Sequence, residues 1–149
     1  MPTLDSLSEE TLQSWARNPE QAIAHLRQIL EQLPCHEDRL QGWITEALEN
    51  CGSPTVAQLE ELRKCFSSMN DEQAYWIATL IGRMQGQGVT ASDLLIHIMK
   101  RSTHDIQSKL RAIWAAKQIG TLSTGLRDAL KTLATSSDSR LAHASNELL

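Results

Sequence analysis

The stretch KLRAIWAAKQIG, residues 109–120, decides the fold of this chain. It places alanines where a surface helix usually carries charged side chains, and it ends in a glycine, as helices commonly do. A helical wheel separates two apolar stripes, one formed by Ala112, Ala115, Ala116 and Ile119 and the other by Ile106, Leu110 and Ile113. A helix that is apolar on two sides is buried between neighbours. We therefore predict an inner helix over 105–119.

Two other segments repeat the pattern of this helix. QAYWIATLIG (73–82) and RLAHASNELL (140–149) align with RAIWAAKQIG (111–120) without gaps, and small residues recur in register at Ala78, Ala116 and Ser145. WITEALENCG (43–52) fits more loosely. Such a period indicates stacked units of two helices, each too small to bury its apolar face alone. The predicted pairs are 20–33 with 37–51, 54–68 with 71–84, 91–101 with 105–119, and 122–134 with 138–149.

Capping residues support a wholly helical chain. Ser6 with Glu9 and Asn70 with Gln73 have the spacing of capping boxes, and Pro19 follows a capping asparagine. No segment alternates with a period of two, so we predict no strand. The predicted fold is all-α, a single domain over 1–149. It consists of an N-terminal capping helix (1–18) followed by about four antiparallel pairs in 19–52, 53–86, 87–120 and 121–149.

SSDSRLAHASNELL and LRAIWAAKQIGTLSTGLRDALKTLA, the segments 136–149 and 110–134, resemble the HEAT-like repeats. The polar loop, the early basic residue, the small-residue stripe and the terminal Ile-Gly are similar to that family, which includes phycobilisome-lyase-type and armadillo-like repeat proteins. The resemblance covers 70–149 and, more loosely, 19–69, although 54–68 lacks the family's usual proline bend. It implies a right-handed α–α superhelix that serves as a binding scaffold. No catalytic motif is carried over.

Composition argues against several classes of protein. The longest apolar run, near Tyr75–Ile81, is far shorter than the ~20 residues of a membrane span, and no secretory signal is recognisable. We therefore expect a cytoplasmic protein that does not bind membranes. Three cysteines and five histidines lack disulfide or metal-site spacing, so no metal or cofactor is expected. Charge is uneven: residues 1–75 hold thirteen acidic and five basic side chains (−8), and 76–149 hold five acidic and nine basic (+4).

One set of residues is a candidate binding surface. Trp76, Trp114 and His143 occupy the same repeat position, and planar side chains on successive inner helices are able to line a concave groove. Basic residues on the same helices would flank it: Arg83, Arg111, Lys117 and Arg140. The competing interpretation is that the tryptophans are ordinary core residues, because buried aromatic side chains are common in cores as well as at interfaces.

These observations predict a non-enzymatic scaffold that binds another protein, one with an acidic surface near the basic half of the chain. Three alternatives remain. A HEAT-like protein could bind nucleic acid through the basic half, but the whole chain is acidic at −4, and phosphate binding needs a basic footprint. A lyase-type enzyme is suggested by fold analogy alone. Self-association would join the acidic end of one copy to the basic end of another.

Overall fold

Helices account for most of residues 7–101 and 104–149, the parts of the chain that a computed structural model describes. The described residues contain no strand, which confirms the all-α prediction. The elements are α1 Glu9–Arg17, α2 Pro19–Ala24, α3 Leu26–Glu31, α4 Asp38–Asn50, α5 Val56–Cys65, α6 Asp71–Arg83, the 3-10 helix η1 Gln85–Ala91, α7 Ser92–Met99, α8 Ile106–Ile119, α9 Thr124–Ala134 and α10 Ser139–Leu148.

Residues 109–119 lie in the inner helix that the sequence predicts. Ala112, Ala115 and Ala116 in α8 have no exposed surface, and α8 contacts α6, α7, α10 and η1. The most extensive helix–helix contact in the described chain joins α6 and α8. Gly120 ends α8 with φ +83°, and its N–H donates to the carbonyl oxygen of Ala116 at 3.2 Å. This left-handed conformation is the one that favours glycine after a helix.

Each of the helices α6–α10 contacts the next-but-one helix in the chain, and some sequential helices also contact each other. Helix α7 packs on α8 and α9 packs on α10, as the last two predicted pairs require. Helix α8 also contacts both α6 and α10, and α7 contacts α9. The same apolar core continues from this half of the chain into the first half, from Leu12 to Leu141.

The first half pairs its helices differently from the prediction. Helix α4 packs mainly on α1, the predicted cap, and makes smaller contacts with α2 and α3. Helix α5 contacts α3 and η1 more extensively than it contacts its predicted partner α6. The regular pairs expected over 19–52 and 53–86 are therefore not the main contacts of these helices.

The helix predicted over 20–33 is two short helices, α2 and α3, separated at His25. There the backbone leaves helical geometry, with φ −123° and ψ 28°. The His25 ring stacks on Trp15 with ring centroids 4.2 Å apart, and its Nδ1 lies 2.7 Å from the carbonyl oxygen of Gln21. The side chain of Gln58 donates to the freed carbonyl oxygen of Ile23 at 3.1 Å. These tertiary contacts stabilise the break.

Helix starts agree with the sequence in part. Asn70 and Gln73 form the predicted capping box of α6. The predicted box partner Ser6 lies outside the described residues, and α1 is instead capped by Ser8, whose hydroxyl oxygen accepts from the N–H of Thr11 at 3.1 Å.

The capping glutamine of α6 also serves another helix. Gln73 accepts from the Asn70 N–H through Oε1, while its Nε2 donates to the carbonyl oxygen of Leu30, near the end of α3, at 3.0 Å. Asn70 does the same through Nδ2, which donates to the carbonyl oxygen of Leu33 at 2.9 Å. Gln58 repeats the arrangement between α5 and α2. In each case the side-chain amide nitrogen donates to a backbone carbonyl near a helix end, where the last carbonyls have no donor within the helix.

None of the helices in the described parts of the chain combines the length and apolar character that a membrane span requires. The cytoplasmic location stays a prediction.

Candidate functional site

A line of aromatic and cationic side chains crosses the contact between α6 and α8. Trp76 meets Tyr75 edge to face with ring centroids 5.5 Å apart, and the Arg111 guanidinium carbon lies 5.4 Å from the Tyr75 ring centroid. On its other side Arg111 lies over Trp114, 3.9 Å from the ring centroid. The structure therefore connects three of the predicted site residues, Trp76, Arg111 and Trp114, through Tyr75. Each cation–π contact is worth about 0.5–1 kcal/mol at an exposed site.

Arg111 is held in a fixed orientation. Its Nε donates to Thr79 Oγ1 at 2.8 Å, and the Thr79 hydroxyl in turn donates to the carbonyl oxygen of Tyr75 at 2.8 Å. Across residues 7–101 and 104–149, no acceptor lies within hydrogen-bond distance of the two Arg111 Nη atoms. A planar guanidinium with its outer edge open is suited to bidentate hydrogen bonding with a carboxylate.

Trp114 is half-buried, and its ring packs against the backbone of α6 at Gly82, where no side chain is present. A Cβ placed on Gly82 would lie 2.9 Å from two atoms of the Trp114 ring and still closer to a third. The indole therefore occupies the space that a side chain at 82 would take. The close approach of α6 and α8 depends on this pair.

Trp114 also lines a cleft between α8 and α10. Its volume is about 210 Å³. The lining is mainly apolar, with one cation and one carboxylate, and consists of Leu110, Ile113, Trp114, Lys117, Ala144, Glu147 and Leu148. Lys117 is exposed, and Glu147 Oε1 lies 3.1 Å from His143 Nε2. Lys117 and Trp114, two predicted site residues, thus meet at this cleft, which we call the α8–α10 cleft.

Arg83 serves the fold rather than a groove. Its guanidinium donates to three carbonyl oxygens at the end of α4, those of Leu48 at 2.7 Å, Gly52 at 3.2 Å and Glu49 at 3.3 Å. A cation at a helix C-terminus also interacts favourably with the helix dipole. Arg83 is thereby directed away from the α8–α10 cleft and joins α6 to α4.

Two further predicted residues lie on the exposed surface of α10. Arg140 pairs with Asp138 at 3.1 Å, where the carboxylate also caps α10. This pairing and the backbone N–H groups of the cap lower the pKa of Asp138 below its usual value. His143 has a side chain 78% exposed and pairs with Glu147. Neither residue lines the α8–α10 cleft itself.

Trp76 faces a different groove from Trp114, and that groove is acidic. It measures about 280 Å³ and includes Asp71, Glu72 and Asp105 at the starts of α6 and α8. Arg101, with a side chain 11% exposed, bridges Asp71 at 2.7 Å and Asp105 at 3.2 Å. The two tryptophans therefore do not line one continuous basic groove.

Sequence reasoning missed a third groove, between α1 and α4. It measures about 680 Å³ and is lined by Trp43, Gly42, Arg39, Thr45 and four carboxylates, those of Glu9, Asp38, Glu46 and Glu49. Arg17 lies 5.6 Å from the Trp43 ring centroid. Part of the signal was available in the sequence: Gly42 removes a side chain next to Trp43, and Glu46 and Glu49 follow three residues apart on the same helix.

A metal site needs several histidine, cysteine or carboxylate side chains close together. No group of three such side chains is placed to hold a metal ion in residues 7–101 and 104–149. Burial raises the pKa of the Cys51 thiol, an effect that nearby Arg83 partly opposes, so this cysteine is disfavoured as a nucleophilic thiolate.

Comparison with protein families, with curated proteins and with solved structures found no match. The similarity to HEAT-like repeats therefore rests on the segments quoted above.

Proposed function

We propose that the chain is a non-enzymatic scaffold of HEAT-like helical repeats that binds another protein. Its last helical pairs would stack as a short right-handed superhelix, with α6, α8 and α10 as successive inner helices. The contacts of α8 with both α6 and α10, together with that of α7 with α9, support this arrangement.

The observation that supports a binding role most directly is the α8–α10 cleft. Trp114 and Leu148 stay partly exposed beside it, although both pack against the core. Tryptophan is enriched among the residues that dominate binding energy at protein interfaces, where such anchors fill desolvated pockets. A partner side chain placed in this cleft would complete the burial of Trp114.

Site-specific photo-crosslinking in a lysate of the source cells tests this function. A photoreactive amino acid replaces exposed His143, close to the cleft, in one version of the full chain, and exposed Lys64 on α5 in a control version. We expect one protein to crosslink through position 143 and not through position 64, and to form a stoichiometric complex when purified. Absence of any protein adduct and of any complex at low salt would contradict the proposal.

A further inference from the structure

We propose that the α8–α10 cleft, with Lys117 in its lining and Arg111 on the Trp114 ring, binds a short acidic segment of the partner protein. One aliphatic side chain of the segment enters the cleft, and carboxylates on either side of it bind Arg111 and Lys117. The inference rests on the proposed function and adds the chemistry of the partner.

The size and lining of the cleft select the anchor. A cavity of about 150 Å³ lined by apolar side chains holds a molecule the size of benzene. The α8–α10 cleft, at about 210 Å³, has room for one leucine-sized side chain against Ile113, Trp114 and Leu148. Burial of such a side chain stabilises a complex by removing apolar surface from water.

Arg111 and Lys117 favour acidic residues beside the anchoring side chain of the partner segment. Arg111, Trp114 and Lys117 are spaced by three residues along α8, which places them along one side of the helix. Arg111 is fixed by Thr79 and Trp114, and its Nη edge meets no acceptor in the described chain. Because little side-chain freedom remains to be lost, a carboxylate binds such a guanidinium at low entropic cost.

Charge complementarity favours an acidic partner. Glu147, the single carboxylate among the cleft-lining residues, lies within hydrogen-bond distance of His143 and is outnumbered by the cations Lys117 and Arg111. Residues 76–149 carry a net charge of +4. A nucleic acid fits less well, because the cleft is small and apolar and because Lys117 and Arg111 are too few to track a phosphate backbone.

Fluorescence anisotropy with labelled peptides tests the inference on the full chain. The probe is the octapeptide EELEELEE at ~50 mM salt, where exposed charges are only moderately screened. Its controls are QQLQQLQQ, which lacks the carboxylates, and EESEESEE, which lacks the anchors. We expect EELEELEE to bind at least tenfold more tightly than either control.

Two variants locate the binding. Ala144→Phe fills the cleft from α10 and should abolish binding of EELEELEE, and Lys117→Glu reverses an exposed charge and should weaken it at least tenfold. Lys131→Glu makes the same change of charge at an exposed position on α9, outside the cleft, and should alter the affinity less than twofold. Circular dichroism checks that each variant is folded. If Ala144→Phe does not fold, Lys117→Glu alone serves as the test.

Four results would overturn the inference: no binding of EELEELEE up to ~1 mM, equal binding of QQLQQLQQ, equal loss in Lys117→Glu and Lys131→Glu, or tighter binding of a labelled oligothymidylate. If a crosslinked protein partner still bound Ala144→Phe and Lys117→Glu as tightly as wild type, the site would be wrong while the scaffold function stood. Absence of any partner would remove the scaffold function itself.

Discussion

Replacing two helical glycines by alanine should change stability in opposite directions. Gly82 lies in α6 against the ring of Trp114, whereas Gly42 lies in α4 with no atom within 4 Å of an added Cβ. Both substitutions gain the helix propensity of alanine, about 1 kcal/mol. Only Gly82→Ala also forces a side chain into occupied space.

The size of that conflict follows from the contacts. An added Cβ at Gly82 would overlap three atoms of the rigid Trp114 indole, whose ring is also in contact with the Arg111 guanidinium. Overpacking of a tight interior typically costs 1–3 kcal/mol, about 3 for a ring that cannot turn aside. After the gain in propensity, Gly82→Ala should destabilise the fold by about 2 kcal/mol, while Gly42→Ala should stabilise it by about 0.5–1 kcal/mol.

Urea denaturation followed by circular dichroism measures both effects. With a slope of about 2 kcal/mol per molar urea, the midpoints of the two variants should differ by more than about 1 M. The Trp114→Leu background provides the decisive comparison, because removing the ring should make Gly82→Ala neutral or stabilising. If Gly82→Ala were as stable as Gly42→Ala, or equally harmful with and without the indole, the packing argument would be refuted.

Three other changes test the polar contacts. Arg83→Gln should lower the free energy of unfolding by about 2 kcal/mol, because it leaves carbonyls at the end of α4 without their charged donor; an unchanged urea midpoint would contradict this. Gln73→Glu should cost about 1–3 kcal/mol by turning an oxygen toward the carbonyl of Leu30 in α3. Gln107→Glu, exposed in the first turn of α8, should change the free energy of unfolding by less than about 0.5 kcal/mol in the same measurement, because the favourable helix N-terminus is offset by the carboxylates of the same groove. Iodoacetamide at pH 8 should label exposed Cys65 in the native protein but spare Cys51, because burial and a raised pKa keep that thiol protonated; mass spectrometry showing equal labelling would disprove it.

The sequence predicted correctly those features that depend on interactions between residues close together in the chain. The two apolar stripes of residues 105–119 identified an inner helix, and Gly120 and the Asn70–Gln73 pair marked helix ends that the structure confirms. These signals act within a few residues of the chain, where periodicity and capping chemistry are sufficient.

The errors arise from contacts between residues distant in sequence. The break at His25 depends on Trp15 and on Gln58, which comes 35 residues after the carbonyl that it binds. Arg83 looked like a groove residue because a helical wheel shows its direction but not the open end of α4 nearby. The sequence identified Arg111, Trp114 and Lys117 as candidate site residues. It did not predict that Trp76 and Trp114 lie in separate grooves, because that depends on how the helices pack.

The double role of Gln73 has a consequence for how the first half of the chain opens. Its single amide serves the beginning of α6 and the end of α3, so neither helix end can fray without exposing polar groups of the other. Local openings that would otherwise be independent become one cooperative event. Helix α3, which with six residues is too short to persist alone, is thereby stabilised by the longer, well-packed helix α6 to which it is hydrogen-bonded.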